Sequence, residues 1–487
     1  MKKQAINIQI PDDAKKVLSL LEENGHTAYL VGGFIRDQIR AEDEAPQDID
    51  IATSARPNEV EQMFASSEWT PYPLGKKFGT IGLVMGSEAK LNIKSQNTTS
   101  KQDASVPTIT TASDPKTIEI TTYRTEKTYT DGRHPDEVCF ADSIDEDLSR
   151  RDFTCNAIAC DINGNIVDPF NGIEDIHNNV VRCVGDAKER FKEDHLRILR
   201  ALRFSAQLGF EIEADCASAI RKMKGSINSV SAERIREELT KLLCGKNAKE
   251  ILTIYSDVIF EIIPELKPLY KYDQKTKYHS HDAWEHTLIV VDKMPGSPIG
   301  RWAALLHDIG KPDCFTMDEE GQGHFYGHPE RSAEIAKVIL KRLKFSNKMA
   351  DSILLLIKYH DRQMAATKKS VKKMLRHFAD VNTELPTEEM FRIYCDLRRA
   401  DSYAHDENFR GYLTFTNKIE TVFDEILAEE EVFSLKDLAI GGNEIMELGI
   451  EPGPKISELL KVCLDAVINE EIKNTKTELR KFIKTRI

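Results

Sequence analysis

Apolar residues in the first part of the chain recur with changing periods, which predicts a mixture of helices and strands. Helical spacing, with Pro11 at one start and Asn24-Gly25 at one stop, alternates with short apolar runs. The pattern predicts helices over 11–25, 34–40 and 54–66 and strands over 28–31, 48–53, 79–85 and 117–124. These elements predict a mixed sheet with flanking helices.

From about residue 185 onward the apolar period is helical and stays so. A sheet-containing first part followed by an all-helical remainder predicts an α+β fold class. Between two predicted strands lies a segment rich in Ser, Thr, Asn and Gln, at 91–116, which predicts a polar insertion in a hairpin. The last helical stretch carries an acidic run at 428–432 and ends in basic residues.

The composition is that of a soluble globular protein with several domains. The chain has 487 residues, of which 40% are hydrophobic and 30% are charged. No run approaches the ~20 apolar residues of a membrane span, and no secretory signal is recognisable. The nine cysteines are scattered, which favours reduced thiols and a cytoplasmic location. The net charge of −13 argues against a general polyanion binder, unless the basic residues gather on one face.

A short stretch near the start carries the first candidate chemistry. Gly32-Gly33 ends an apolar strand and opens a helix with Arg36, and a helix start with exposed N–H groups suits an anion. The next strand carries Asp48 and Asp50, whose spacing points both carboxylates to one face. Such a pair suits Mg²⁺, and a phosphate cradle beside a metal indicates nucleotidyl transfer. Taken singly, Gly-Gly is also typical of a turn and Asp-x-Asp of a solvated strand end.

Two further segments add polar groups of the same kind. Glu119 is a candidate third catalytic carboxylate, although an ordinary glutamate on an edge strand explains it equally well. The segment 148–157 brings together Arg151, Asp152 and Asn156. Guanidinium, carboxylate and amide groups offer hydrogen-bond partners to a triphosphate and a ribose.

A helix predicted over 191–204 carries Asp194, Arg197 and Arg200 along one face. An aspartate accepts from the exocyclic amine of a base, and an arginine donates to a ring nitrogen or carbonyl. Cytosine and adenine both carry such an amine, so the pair can read their base edges. An ordinary salt bridge on a solvated helix is the alternative.

The segment 126–138 mixes charges, aromatic rings, a glycine and a proline without a clear period. Asp131, Gly132 and Arg133 lie at its centre. This composition is typical of a mobile loop beside an active site.

In this order, the segments resemble the motifs of bacterial class II tRNA nucleotidyltransferases, the CCA-adding enzymes. The matching stretches fall within residues 29–239. They read Gly-Gly-Phe-Ile-Arg-Asp with Asp-Ile-Asp, Arg-Arg-Asp-Phe-Thr-Cys-Asn-Ala, Asp-Pro-Phe-Asn-Gly-Ile-Glu-Asp, Glu-Asp-His-Leu-Arg with Ile-Leu-Arg-Ala-Leu-Arg-Phe, and Glu-Arg-Ile-Arg-Glu-Glu-Leu. The resemblance implies a polymerase-β-like nucleotidyltransferase head at 1–160. It also implies a helical neck and body at 161–278 that select nucleotides and bind RNA.

The resemblance further implies a role for each matching residue. Asp48 and Asp50 would hold the catalytic Mg²⁺, and Glu233 and Arg234 would belong to the last motif helix. The nucleotide-binding set would be Gly32, Gly33, Arg36, Arg151, Asp152, Asn156, Asp194, Arg197, Arg200 and Arg203. Within that set, Asp194 and Arg197 would select CTP and ATP without a nucleic-acid template.

In the family, the 3′-hydroxyl of tRNA attacks the α-phosphate of CTP or ATP, and pyrophosphate leaves. The segment around Asp131, Gly132 and Arg133 resembles the flexible loop needed for the switch from C to A addition. It favours an enzyme that adds CCA, or one that adds only A. Lower alternatives are a poly(A) polymerase and a phosphohydrolase whose head has become an RNA-binding scaffold.

A separate set of histidines and aspartates lies downstream, on helices and at helix ends. A single buried histidine is usually an ordinary core residue. Adjacent His-Asp with further His and Asp at domain-scale spacing instead suits a divalent metal that activates water. The set, called the histidine cluster below, is His286, His307, Asp308, His328, His360 and Asp401.

The histidine cluster resembles the ligand pattern of HD-domain phosphohydrolases over 279–410. His328 and His360 match the extra ligands of members that hold two metals. The resemblance implies a divalent metal (Mn, Ni, Fe, Co or Mg) and hydrolysis of 2′,3′-cyclic or 2′ phosphates. The tail at 411–487 would contact tRNA through its basic end, with a solvated helix face as the alternative. Both a monomer and a homodimer remain open.

Overall fold

The computed structural model describes residues 8–40, 49–85, 90–92, 108–110, 117–127, 137–278 and 280–486. The chain forms two compact units, residues 1–230 and residues 231–487. The two ends of the predicted loop, 126–127 and 137–138, pair as antiparallel strands. Asp48 lies outside the described residues, and so do Asp131, Gly132 and Arg133 at the centre of that loop. The roles of these four residues therefore stay predictions.

A seven-stranded mixed sheet organises the first unit, as the sequence predicts. The described strands of this unit are β1 (Ala28–Val31), β2 (Ile49–Thr53), β3 (Trp69–Gly75), β4 (Thr80–Met85), β5 (Lys90–Asn92), β6 (Thr108–Thr110), β7 (Thr117–Thr122), β8 (Arg124–Lys127), β9 (Glu137–Phe140), β10 (Ala159–Cys160), β11 (Ile166–Val167), β12 (Val180–Val181) and β13 (Glu211–Ile212). The strand order in the seven-stranded sheet is β11-β10-β1-β2-β7-β4-β3; β2 and β7 run parallel, and the other neighbours are antiparallel.

Helices flank this sheet and follow it along the chain. The first one buries Val17, Leu18 and Leu21, because residues three and four apart share one helix face. The third begins at Pro57, whose fixed φ suits the first turn of a helix. The helices are α1 (Asp12–Glu23), α2 (Gly33–Arg40), α3 (Pro57–Phe64), α4 (Ile144–Ser149), α5 (Gly172–His177), α6 (Ala187–Glu193), α7 (Leu196–Leu208) and α8 (Ala214–Met223).

The helix predicted over 191–204 is interrupted, so the prediction of one continuous helix face is wrong. α6 ends before Asp194, which has extended backbone angles (φ −140°, ψ 107°), and α7 begins at Leu196. The Asp194 carboxylate accepts a hydrogen bond from the Leu196 N–H at 3.0 Å. Short polar side chains compete in this way for backbone N–H groups, which favours helix ends over helix interiors.

Two predicted boundaries can be compared with the structure. The head sheet extends beyond residue 160, because Ile166–Val167 pairs with β10. Within the predicted insertion at 91–116, β5 and β6 pair antiparallel, which agrees with a hairpin; the remainder lies outside the described residues. The division into four domains stays a prediction.

The second unit is almost entirely helical, which confirms the predicted change of period. Its helices are α9 (Ala232–Leu243), α10 (Ala248–Ile254), α11 (Ser256–Ile262), α12 (Ala283–Lys293), α13 (Pro298–Leu306), α14 (His328–Arg342), α15 (Asn347–Tyr359), α16 (Lys368–Ala379), α17 (Thr387–Ala404), α18 (Tyr412–Ala428), α19 (Gly442–Met446), α20 (Pro454–Ile468) and α21 (Lys476–Lys484). A short hairpin of β14 (Thr316–Met317) and β15 (Gly323–His324) interrupts them. Among the described residues, no helix is long and apolar enough to cross a membrane.

One buried cluster fixes the positions of the polar residues discussed next. Val31 and Ala52, on neighbouring strands, pack in the same apolar cluster as Leu148 on α4. Burying a side chain of this size stabilises a fold by roughly 1.5–3 kcal/mol. Residues adjacent in sequence to these three are therefore held at the sheet with little freedom.

Candidate active site

The turn after β1 brings a carboxylate and a guanidinium group together. Gly32 has φ +73°, a conformation that glycine adopts without strain. A Cβ placed on Gly32 would lie 3.2 Å from Nη1 of Arg151 and 3.7 Å from Oδ2 of Asp50. A Cβ on Gly33 would lie 3.5 Å from Nη2 of Arg36. Because neither glycine carries a side chain, an arginine side chain can lie close to each of them.

Asp50 and Glu119 stand directly beside each other in the sheet. They are register partners on the parallel strands β2 and β7, so their side chains leave the same face. Asp50 is half-buried and Glu119 is exposed. Because β7 lies between β2 and β4, the interpretation of Glu119 as an edge-strand residue is wrong. The register supports Glu119 as a further carboxylate of the site.

Asn156 joins two segments that are far apart in sequence. Its Oδ1 accepts a hydrogen bond from Nη1 of Arg36 at 2.7 Å, and its Nδ2 donates to Oδ1 of Asp152 at 3.4 Å. The Arg36 guanidinium also forms a salt bridge with Asp37 at 2.8 Å. The glycine turn and the Arg-Arg-Asp segment are therefore held in one hydrogen-bonded network.

An ion pair between buried Asp152 and half-buried Arg200 connects the Arg-Arg-Asp segment to α7. Oδ2 of Asp152 accepts from Nε of Arg200 at 2.7 Å and lies 2.6 Å from Nη2 of the same residue. Burial by itself would raise the pKa of Asp152, but the Arg200 and Arg197 guanidinium groups lower it to about 2. Asp152 is therefore an anion at neutral pH, and it holds Arg200 in place.

Three guanidinium groups surround the ring of Phe204. The centroid of the ring lies 5.4 Å from Cζ of Arg36, 5.4 Å from Cζ of Arg200 and 3.8 Å from Cζ of Arg203. Such cation–π contacts hold arginines with their N–H groups at the ring margin. The sequence reasoning missed Phe204, although its spacing of four residues from Arg200 on a helix was a usable signal. The arrangement concentrates positive charge, which suits a triphosphate.

Arg197 is buried, and its described contacts are with protein acceptors. Its Nη1 pairs with the carboxylate of Glu193 and donates to the carbonyl of Arg190 at 3.2 Å, and its Nη2 donates to the carbonyl of Arg150 at 3.1 Å. The backbone N–H of Arg197 donates to the Asp194 carbonyl at 3.0 Å. Asp194 and Arg197 are therefore neighbours, although they do not share a helix face.

The last motif helix belongs to the second unit. Glu233 is exposed and Arg234 is half-buried, both in the first turn of α9. Ser231 occupies the N-cap position of α9 but makes no side-chain capping bond. Both residues therefore lie on α9. Their role as part of the last family motif stays a prediction.

The histidine cluster gathers side chains from five helices or helix ends of the second unit. His286 lies on α12 and Asp401 on α17. His307 follows α13, His328 begins α14 and His360 follows α15. The histidines and Asp308 are buried, which is unusual for so many polar groups unless they bind each other or a metal.

Asp308 lies at the centre of the histidine cluster. Its Oδ2 is 3.3 Å from Nε2 of His286 and 3.2 Å from Nε2 of His307. Its Oδ1 is 3.3 Å from Nε2 of His328 and 3.7 Å from Nε2 of His360. The two oxygens thus face two pairs of histidines, as a carboxylate that bridges two ligand sets would.

Asp401 completes the first of these ligand sets. Its Oδ1 lies 3.0 Å from Nε2 of His286 and 3.7 Å from Nε2 of His307. Ligand atoms bonded at about 2.1 Å to one metal ion stand about 3 Å or a little more apart, so these separations fit a shared ion. Among the described residues, two groups of three have ligand atoms that all lie within 4.8 Å of one another: His286, His307 and Asp401; and His307, Asp308 and His360.

Backbone carbonyls fix the orientation of three histidine rings. Nδ1 lies 2.8 Å from the Ala304 carbonyl in His307, 2.8 Å from the Phe325 carbonyl in His328, and 2.7 Å from the Ile357 carbonyl in His360. A carbonyl only accepts, so each Nδ1 carries the proton, and in the neutral ring Nε2 offers its lone pair. Metal-binding histidines are typically oriented in this way.

The charges of the cluster are strongly perturbed. Burial lowers the pKa of His286 to about 4. For His307 burial acts in the same direction, but the Asp308 and Asp401 carboxylates raise its pKa to about 10. Burial would raise the pKa of Asp308, yet the cations around it hold that pKa well below its usual range. A nearby positive charge thus stabilises the carboxylates of Asp308 and Asp401. Either a proton on His307 or a metal ion can supply that charge.

Two residues that contact the histidine cluster were not predicted from the sequence. Nζ of Lys311 lies 2.6 Å from Oδ2 of Asp308 and donates to Oε1 of Gln274 at 2.8 Å. The ring of His405 stacks on His286 with centroids 5.7 Å apart. Lys311 follows Asp308 by three residues and His405 follows Asp401 by four, so helical spacing could have indicated both.

Comparisons with known proteins identify the family of the chain. Residues 28–106 and 87–182 match the model of the poly A polymerase head domain. A CCA-adding enzyme of Leuconostoc mesenteroides is 32% identical over 476 residues, which cover 97% of this chain and 96% of that one. The chain belongs to the CCA-adding enzyme family. Membership of this family makes it a tRNA nucleotidyltransferase.

Further matches extend over nearly the whole length of this chain. Residues 209–269 match the probable RNA and SrmB-binding site of polymerase A, and residues 328–483 match tRNA nucleotidyltransferase domain 2 (putative). A CCA-adding enzyme of Staphylococcus haemolyticus is 30% identical and covers 98% of each chain. The crystal structure of the Bacillus stearothermophilus CCA-adding enzyme with CTP matches with a TM-score of 0.66, 26% identity and 98% of each chain covered. The α+β fold with a polymerase-β-like head is thereby confirmed.

Proposed function

We propose that the chain adds C, C and then A to the 3′ end of tRNA, from CTP and ATP, with release of pyrophosphate. The observation that carries this proposal is the meeting of Asp50 and Arg151 at Gly32. A carboxylate that would bind metal and a guanidinium that would bind phosphate both approach this turn. Family membership supports the same reaction.

The residues of the site divide the work of the reaction. Asp50 and Glu119, with Asp48, would hold Mg²⁺, which when bound neutralises phosphate charge and favours the attacking alkoxide. Arg36 and Arg151 would donate to the triphosphate and fix the α-phosphate in line with the tRNA 3′-oxygen. A bond forms between that oxygen and the α-phosphorus, the bond to the β-phosphate oxygen breaks, and the hydroxyl proton passes to solvent. Positioning supplies most of the acceleration in such transfers.

Selection of the base would rest on Asp194 and Arg197. The Asp194 carboxylate would accept from the exocyclic amine of cytosine or adenine, and Arg197 would donate to a ring acceptor. Asp194→Ala should therefore relax discrimination against UTP and GTP. Unchanged discrimination in this variant would exclude the base-edge role.

One assay tests the transfer reaction and separates its alternatives. tRNAs that end before CCA, after C and after CC are incubated with CTP and ATP, together and singly. Extension of all three supports full CCA addition, whereas extension of the CC-ended tRNA alone identifies an A-adding enzyme. Long A tails on unrelated RNA identify a poly(A) polymerase.

The carboxylates are tested by one combined variant. Asp48→Ala with Asp50→Ala should abolish incorporation of CMP and AMP. Asp12→Ala, at an exposed aspartate of α1, is the matched control and should leave incorporation unchanged. Incorporation that survives the double substitution would refute the proposed transfer site and favour a head that only binds RNA.

We infer a second function, metal-dependent hydrolysis of 2′,3′-cyclic or 2′ phosphates, for the histidine cluster. The observation that favours it is the 3.2 Å separation between Nε2 of His328 and Nε2 of His360. Both rings donate through Nδ1 to carbonyls, so in neutral rings two lone pairs face each other across this distance. A cation between them removes the repulsion, and imidazole and carboxylate ligands suit Mn, Ni, Fe, Co or Mg.

This second function has its own test. Hydrolysis of adenosine 2′,3′-cyclic phosphate is measured with each divalent metal for the unmodified chain and for Asp308→Asn. We expect the substitution to abolish hydrolysis and to leave CCA addition intact, because the two sites lie in different units. Hydrolysis that is absent with every metal, or equal in the variant, would exclude the activity.

We propose a second, weaker contact with tRNA on the helix α21. Lys476, Arg480, Lys481 and Lys484 line one depression of about 490 Å³ on α21. Lys476 pairs with Glu444 at 3.1 Å, which lowers the positive charge offered to a phosphate backbone. Lys481→Ala with Lys484→Ala should reduce the salt dependence of tRNA binding, because fewer counterions would be released.

A further inference from the structure

Asp147 is a buried carboxylate outside the set of residues discussed as nucleotide ligands. It lies on α4, and its side chain is 1% exposed. A buried carboxylate is costly unless hydrogen bonds and cations satisfy it. The partners of Asp147 therefore indicate what its charge is used for.

Both oxygens of Asp147 accept charge-assisted hydrogen bonds from arginines. Oδ1 accepts from Nε and Nη2 of Arg150 at 3.0 and 2.7 Å, and from the backbone N–H of Arg124 at 3.3 Å. Oδ2 accepts from Nη2 of Arg151 at 3.2 Å. Burial would raise the pKa of Asp147, but Arg150 and Arg151 hold it below its ordinary value.

These partners lead directly to the candidate active site. Arg151 uses its other terminal nitrogen, Nη1, for the Asn156 carbonyl at 3.4 Å, and the same atom faces Gly32. The carbonyl of Arg150 accepts from Nη2 of Arg197 at 3.1 Å. Asp147 thus connects through Arg151 to the side of the site proposed to bind phosphates. Through Arg150 it connects to the side proposed to read the base.

We propose that Asp147 is a positioning residue that fixes Arg151 toward the nucleotide phosphates and, through Arg150, fixes Arg197 toward the base. This inference rests on the nucleotide-binding roles proposed above for Arg151 and Arg197. Asp147 itself is buried and does not reach substrate. Its charge also allows two neighbouring guanidinium groups to stand side by side, since without it they repel each other.

The variant that tests this role is Asp147→Asn, which keeps the shape and removes the charge. We expect the Kd of CTP and ATP to rise roughly ten-fold, the effect of losing one charge-assisted hydrogen bond. Discrimination against UTP should fall in the same variant. Asp145→Asn, at an exposed aspartate of the same helix, should change neither quantity.

A double-mutant cycle separates positioning from general loss of structure. If Asp147 acts through Arg151, then Asp147→Asn should lower CTP affinity less in the Arg151→Ala variant than in the unmodified chain, because only the route through Arg150 and Arg197 is left. Additive losses would overturn the proposal. If Asp147→Asn fails to fold, Arg150→Met replaces it: discrimination against UTP should fall while CTP affinity is largely kept, and the reverse result would contradict the inference.

Nucleotide binding without tRNA keeps this inference distinct from the proposed function. Kd values are measured by equilibrium dialysis with Mg²⁺ on the full chain. Nucleotide binding that responds to Asp147→Asn, in a chain that never extends tRNA, would refute the proposed function and keep the inference. Binding that is equal in the variant would refute the inference alone.

Discussion

Nη1 of Arg151 lies 3.2 Å from the point where a Cβ of Gly32 would stand, so the glycine and the arginine occupy adjoining space. Gly32→Ala should therefore displace Arg151 and crowd Asp50, and it also places alanine at φ +73°. We expect kcat/KM for CMP incorporation to fall at least ~100-fold, because a 1 Å misplacement can cost that much.

Gly164→Ala is the matched control for this prediction. Gly164 has φ +85°, but a Cβ there meets nothing within 4 Å. Like Gly32→Ala, the Gly164→Ala substitution places alanine at a positive φ, so it should lower the free energy of unfolding by about 1 kcal/mol. It should leave CMP incorporation unchanged. Equal activity of the two variants would show that the space at Gly32 does not matter.

The Asp152–Arg200 pair makes stability depend on pH. The pKa of Asp152 is lowered to about 2 from an ordinary value of 3.8, so its contribution is complete above pH ~4 and is lost as pH falls toward 2. Asp152→Asn should lower the free energy of unfolding by about 2 kcal/mol at pH 7 and by much less near pH 2. Urea unfolding at both values measures this, with Asp215→Asn at an exposed site as the control.

The histidine cluster predicts a metal-dependent melting temperature. Mn²⁺ or Ni²⁺ at about 100 times its Kd stabilises a folded site by about 3 kcal/mol. The unmodified chain should therefore melt a few degrees higher with metal, whereas His286→Gln should not respond. His281→Gln, at a side chain 41% exposed, is the control and should respond normally. A metal response in His286→Gln would argue against this ligand set.

Gly172 predicts a stability effect that is independent of catalysis. A Cβ there would overlap the carbonyl oxygen of Thr154 and come within 2.9 Å of Cγ1 of Ile158. Gly172→Ala should destabilise the first unit by roughly 1–3 kcal/mol, the usual cost of overpacking. Gly225→Ala, which meets nothing within 4 Å, should be close to neutral in the same unfolding assay.

Local spacing in the sequence was sufficient for several elements of the first unit. Alternation and helical periods predicted β1, β2, β4, β7 and α1–α3, since burial on one face imposes those periods. They failed at Asp194, where one side chain captures a backbone N–H and ends the helix. The apolar period is a property of many residues taken together. A single competing hydrogen bond, such as the one at Asp194, therefore does not change it.

The sequence by itself determined the candidate chemistry: carboxylates that would bind a metal, arginines that would bind phosphates, and histidines with aspartates that would bind a second metal. These follow from residue type and spacing, which the chain carries locally. Only the tertiary structure decided that Glu119 stands beside Asp50, that Phe204 gathers three arginines, and that Asp147 supports Arg151. Strand register and helix packing set these contacts, because they join residues whose separation along the chain carries no periodic signal.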